Sequence, residues 1–253
     1  MKKIFLMLVI FSLFSASSYG EKAEEILKII QEKVKTVNSY KADFSLKVDS
    51  PTGEMLMQGN ILFKREDKLK MEISMPNIPT ATQLTISNGE IMWQYLPFLK
   101  AASKVDLSTL KKEFGESYFA YAKEDISQPL KEVKEESLKY SGKEKIGMEE
   151  CFVLEAEPKD NSRQEISFSR VKVWIDINSG LEKRVVFYNS EGKEVLSRTY
   201  ENISVNIPIE DKEFEFSPPE GTEIMDMTEE TKGYIEKEIN VFPSPSPETS
   251  PKL

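Results

Sequence analysis

From Glu21 to Asn38 the apolar residues fall at Ala23, Ile26, Leu27, Ile30, Val34 and Val37. That three-and-four spacing lays one apolar stripe along a helix. After Tyr40 the period drops to two, with Phe44, Leu46 and Val48 alternating with polar neighbours, and a half-buried strand is expected. Pro51-Thr52-Gly53 turns the chain into strands near Met55 to Lys64 and Lys68 to Ser74. Asn88-Gly89, between Gln83–Ser87 and Ile91–Tyr95, is the strongest hairpin signal, because both residues tolerate positive φ. Further strands are expected around 138–141, 150–157, 170–176, 182–189 and 194–201, with turns at Asn178-Ser179-Gly180 and Ser190-Glu191-Gly192. Asp106 to Lys123 returns to helical spacing through Leu107, Leu110, Phe114, Tyr118 and Tyr121, interrupted by Gly115. Lys131 to Glu136 reads as a solvated helical face. Some ten antiparallel strands twist too strongly to stay flat, so the expected fold is mainly β with helices (α+β), a curled antiparallel sheet with an apolar helix against its concave side. Periodicity leaves open whether that interior is a packed core or a pocket.

Composition narrows the chemistry. The 253 residues contain no His and one Cys, which closes Ser-His-Asp and Cys-His catalysis, imidazole metal sites and internal disulfides. A formal charge of −9 disfavours nucleic acid as a partner. No enzyme activity, metal or cofactor is expected. Asp176 to Glu182 has a faint calcium-loop spacing but lacks an oxygen ligand before the glycine, and a hairpin turn is expected there. Lys2, Lys3, the apolar run Ile4 to Phe14 and the small residues Ser18 and Gly20 have the form of a secretory signal peptide over residues 1–20, cleaved near Gly20. Residues 21–241 form the expected domain with a C-terminal helical extension, and the Pro/Ser-rich 242–253 is expected to be a disordered tail.

Tyr40-Lys41-Ala42-Asp43-Phe44, Gly59 to Arg65, Ser87-Asn88-Gly89 with Met92-Trp93-Gln94-Tyr95-Leu96-Pro97, Val173-Trp174-Ile175-Asp176 with Ser179-Gly180-Leu181, and Phe214 to Gly221 with Asp226 stand in a consistent order. That series resembles the LolA-like periplasmic outer-membrane lipoprotein carriers over about residues 21 to 227. The resemblance implies an eleven-stranded antiparallel sheet forming an incomplete barrel closed by a helical lid. It implies an apolar cavity that takes lipoprotein acyl chains or other lipids from an inner-membrane lipoprotein transporter to an outer-membrane acceptor, in a periplasmic monomer. The alternative on the same fold is a periplasmic sensing domain that binds lipid or lipoprotein and reports to a partner.

The candidate ligand-binding residues lie on the strands and the helix between residues 63 and 114. In the family, the Lys-Arg motif matched by Lys64-Arg65 carries an arginine whose hydrogen bonds hold the lid shut; here Glu66 replaces the usual proline, and the alternative reading of Arg65 is a solvated arginine at a strand end. Trp93 and Tyr95 share one side of their strand and line either the cavity or ordinary core, and Phe63, Leu69, Met71, Ile73 and Met75 pose the same choice. Methionines suit acyl chains because flexible thioethers adapt to irregular apolar shapes. Leu107, Leu110 and Phe114 would form the inner face of the lid or a permanent plug. Leu96, Phe98 and Leu99 flank Pro97 in an apolar loop suited to a ligand or partner.

Overall fold

The computed structural model describes residues 15–50, 53–65, 67–115, 126, 128–159 and 168–241. Its elements are α1 (Ser15–Lys35), β1 (Ser39–Ser50), β2 (Gly53–Lys64), β3 (Lys68–Met75), β4 (Ile78–Asn88), β5 (Ile91–Leu96), β6 (Ala101–Asp106) and α2 (Leu107–Phe114). These are followed by β7 (Lys139–Ile146), β8 (Glu149–Ala156), β9 (Arg170–Asp176), β10 (Glu182–Tyr188), β11 (Glu194–Val205), β12 (Glu223–Asp226) and α3 (Thr228–Val241). The fold is mainly β with helices. Twelve strands hydrogen-bond in the order β12-β6-β5-β4-β3-β2-β1-β11-β10-β9-β8-β7, and the end strands β12 and β7 leave the sheet open. Strand β12 runs parallel to β6, a departure from the expected antiparallel rule.

The chain divides into two compact units, residues 1–60 with 124–207 and residues 61–123 with 208–253. In the first, Ala23, Ile26 and Ile30 of α1 pack onto Phe152, Leu154, Val173, Ile175 and Val185 from β8 to β10. Strand alternation sends the intervening residues to the other face, where Cys151, Val153, Trp174 and Val186 form a second cluster. The β9–β10 turn is built by Asp176, whose Oδ1 accepts from the Asn178 and Ser179 N–H groups and from Ser179 Oγ. This is the hairpin expected at that position. In the β4–β5 hairpin only Gly89 takes positive φ (96°); Asn88 instead uses its side-chain oxygen to accept from the N–H groups of Glu90 and Ile91.

Two expectations need correction. The helix expected over 106–123 ends at Phe114, where Gly115 (φ 82°) caps it, and Tyr118 and Tyr121 lie outside the described residues. The run Lys131 to Glu136 is not a helical face: it is a turn with a short 3-10 segment, Glu135–Ser137, and Val133 within it and Leu130 just before it are buried. Glu132 there pairs with Arg198. Residues 1–14 and 242–253, which carry most of the signal-peptide reading and the tail, lie outside the described residues.

Candidate lipid-binding face

All eleven candidate residues belong to the second unit, and strand register sorts those in β3 and β5 onto two faces. Leu69, Met71 and Ile73 stand opposite Ser87, Thr85 and Gln83. Ser87 and Thr85 stand opposite Met92 and Gln94, and Met92 stands opposite Val105. Directly opposed residues share a face, so Leu69, Met71, Ile73, Met92 and Val105 line one side. Ile86 and Leu84 pair with Trp93 and Tyr95, which in turn face Lys104 and Ala102; these six line the other.

The first side meets the helices. Val105, Leu110 and Ile235 form a small buried cluster with Met92, Leu107, Phe114 and Met227 packed around it. Leu110 is fully enclosed, while Leu69, Met71 and Ile73 in β3 are only half-buried. The apolar row is bordered by a polar one, Gln83, Thr85 and Ser87, in which Gln83 Nε2 reaches Thr85 Oγ1 at 3.5 Å. Sequence spacing thus brought Leu107, Leu110 and Phe114 together as one helix face, and the fold sets that face on the Met92–Val105 end of the sheet.

Several polar ties fix α2. Asp106 is its N-cap: Oδ1 accepts from Ser108 Oγ at 2.6 Å and from Thr109 N at 3.0 Å, and Oδ2 from Thr109 Oγ1 at 2.9 Å. These donors, the Ser108 hydroxyl first and the Thr109 N–H second, hold its carboxyl down at about 2. Thr228 Oγ1 at the start of α3 accepts from the Asp106 N–H, and Lys232 pairs with Glu113. Lys111, largely shielded, pairs with Asp67 and donates to the Gly89 carbonyl. Asp67 and Lys111 were not singled out in the sequence; a lone lysine on an amphipathic helix carries no signal of where its ammonium lands.

The second side is covered by the chain after Pro208. Phe214 is buried, and the Phe216 ring lies 5.9 Å from Trp93 and 5.6 Å from Tyr95. Lys64 and Lys68 grip Asp211 at 2.6 and 2.7 Å, and Lys70 reaches Glu213 at 3.3 Å. The hydrogen bonds from Lys64 and then Lys68 bring the Asp211 carboxyl down to about 2. Trp93 and Tyr95 therefore sit against this strap, on the side away from Leu69, Met71 and Ile73. Since Lys64 reaches toward the strap, strand alternation turns Phe63 toward the first side. Met75 is half-buried at the end of β3, beyond a register shift, and Arg65 is exposed where β2 ends. In the other unit a cleft of about 250 Å³ is lined by Glu149, Asp176, Asn178, Ser179 and Lys183 together with Ile203 and Val205.

In the second unit the sheet thus has one face covered by the strap and one apolar face partly covered by α2 and α3. A family model described as an uncharacterized protein matches residues 71–207. An outer-membrane lipoprotein carrier protein of Psychromonas ingrahamii is 33% identical over 110 residues, 43% of this chain and 51% of that protein. The chain thus spans about half the length of that relative. A second such carrier, from Pseudoalteromonas translucida, is 28% identical over 90% of this chain and 99% of its own length. A crystal structure of an uncharacterized conserved protein from Thermus thermophilus matches with TM-score 0.52 at 10% identity, over 81% of this chain and 99% of that one, a likeness of fold. The chain belongs to the LolA-like family.

Proposed function

We propose that this chain is a periplasmic carrier that shields the acyl chains of lipoproteins between the inner and outer membranes. The observation that carries the reading is the half-buried row Leu69, Met71 and Ile73 on the same side of the sheet as the cluster beneath α2. Each buried methylene contributes about 0.8 kcal/mol, so an acyl chain of about twelve methylenes needs roughly 10 kcal/mol of replacement apolar contact in water. Flexible Met and Leu side chains supply that contact without demanding one ligand shape. Release needs a cover that can move, and a cover held by one enclosed leucine and a few polar ties is displaceable. Arg65, ahead of the turn that contains Asp67, is proposed as a further polar tie on that cover. Phe63 and Met75 are proposed to extend the apolar row, and Leu107, Leu110 and Phe114 to form its cover. Trp93 and Tyr95 are proposed to stiffen the sheet through Phe216. Similarity to outer-membrane lipoprotein carriers supports both cargo and compartment. No covalent step is required.

The test is native mass spectrometry of the protein purified from its own cell envelope. Co-purifying acylated peptides are the expected result; free phospholipid alone would replace the carrier reading with another lipid role.

A further inference from the structure

The β5–β6 connection is an apolar tip. Pro97–Leu99 forms a 3-10 turn with Pro at its start, and Phe98 and Leu99 are 69% and 64% exposed. The turn closes on itself: the Lys100 N–H donates to the Pro97 carbonyl at 3.1 Å, and the Lys100 carbonyl accepts from the Glu223 N–H at 2.8 Å. Pro97 contributes no N–H, and its ring fixes φ, so the two side chains are presented at little conformational cost. Alongside, the edge strand β12 leaves Ile224 and Met225 more than half exposed, opposite Ala102 and Ser103 of β6. Exposed Lys100 follows Leu99 directly. The tip thus adjoins the start of the edge strand, whose Ile224 and Met225 are exposed on its two faces.

We propose that the Pro97–Leu99 tip is a lipid-surface contact that rests reversibly in the headgroup region of a bilayer. Phe98 and Leu99 enter the interface, and Lys100 extends its ammonium to anionic headgroups while its stem lies along apolar surface. Size separates this from a stable protein interface, which needs about 800 Å² on each partner; a two-residue tip and a four-residue edge strand offer much less. A bilayer interface requires only a few apolar side chains, and so few give a weak, transient association. The contact concerns the outer surface of the protein and is tested without any cargo, so it stands or falls separately from the carrier reading.

A Leu99→Cys variant takes an environment-sensitive dye selectively, because the natural Cys151 is fully buried. Vesicles of equimolar phosphatidylethanolamine and phosphatidylglycerol are expected to shift the dye emission to the blue. Adding Phe98→Glu, an exposed change that leaves the fold intact, is expected to weaken association about tenfold. A dye at Met148→Cys, on an exposed turn of the other unit, is expected to stay unshifted. No shift at Leu99→Cys, an equal shift at both positions, or a shift indifferent to Phe98→Glu overturns the proposal. So does a dimer of the unsubstituted protein in sedimentation that Phe98→Glu dissociates, which assigns the tip to a second copy of the chain.

Discussion

Lys111 Nζ stands 2.8 Å from Asp67 Oδ2 and 3.0 Å from the Gly89 carbonyl oxygen, so one ammonium ties α2 to the β2–β3 turn and to the β4–β5 hairpin. Lys111→Met keeps the aliphatic stem and removes both bonds. A charge-assisted hydrogen bond of this kind contributes about 1.5 kcal/mol, and hydrogen exchange in α2 is expected to accelerate about tenfold while β3 to β5 stay protected. Mass-spectrometric exchange reads this directly; unchanged protection would show that Leu110 and its neighbours hold the helix unaided. In the carrier reading, Lys111→Met and Arg65→Leu both alter ligand release, and unchanged release kinetics for Arg65→Leu would remove its role as a tie.

Arg198 bridges two carboxylates in the first unit. Its Nε lies 3.0 Å from Glu182 Oε1, and its terminal nitrogen lies 3.3 Å from Glu182 Oε2 and 3.1 Å from Glu132 Oε2. Glu182 is 2% exposed; burial pushes its carboxyl above the ordinary range and Arg198 opposes the shift. Arg198→Met leaves a buried carboxylate without its counter-ion, a loss of about 3–5 kcal/mol. Pairing it with Glu182→Leu removes the orphaned charge and should recover most of that loss. Urea denaturation of the parent and the two variants checks it, and a double variant no better than Arg198→Met would show that packing around the guanidinium matters more than its charge.

Strand alternation made most of the sheet legible in the sequence, because β8 to β11 bury one or both faces and carry Val, Ile and Phe in clear runs. Strand β6 carries no such signal: Ala101-Ala102-Ser103-Lys104 has neither β-branching nor a two-residue apolar period. The side that Trp93 and Tyr95 face depends on Phe216, which lies more than a hundred residues later, and no local pattern carries that information. Arg65 was readable only through resemblance, and Lys111 with Asp67 through neither route, since their pairing rests on where an exposed turn meets a helix. Charges in 131–136 implied a solvated helix, yet burial of Leu130 and Val133 and the reach of Glu132 to Arg198 draw that segment onto the sheet.

The N-cap of α2 gives a pH dependence of definite sign. Asp106 has a folded-state value of about 2, below the ordinary aspartate value of about 3.9, so its ionised form is favoured by folding. Its contribution is complete above about pH 4 and disappears as the pH falls through about 2. Asp106→Ala should cost about 1 kcal/mol at neutral pH, and the gap between variant and parent should narrow as acid protonates the parent carboxyl. Urea titrations at pH 7, 4 and 2.5 measure it. A gap that stays constant to pH 2.5 would mean that Asp106 acts through shape and not through its charge.

Gly180 closes the β9–β10 turn against α1, and its φ of 75° already favours glycine. A Cβ there would lie 3.0 Å from the Ile30 carbonyl oxygen, 3.0 Å from Lys33 Cβ and 3.2 Å from Val34 Cγ2. The first of these is helix backbone, which cannot rotate aside as a long side chain would. Gly180→Ala therefore combines backbone strain with a steric push on α1, and a loss of about 1–3 kcal/mol is expected. The same change at Gly192, which has a similar φ of 79° and nothing within 4 Å of the added Cβ, isolates the conformational part. Thermal unfolding of the two variants should place Gly180→Ala clearly below Gly192→Ala. Equal melting temperatures would show that α1 yields to the turn at little cost, and that the packing of Ile30 does not depend on this close approach.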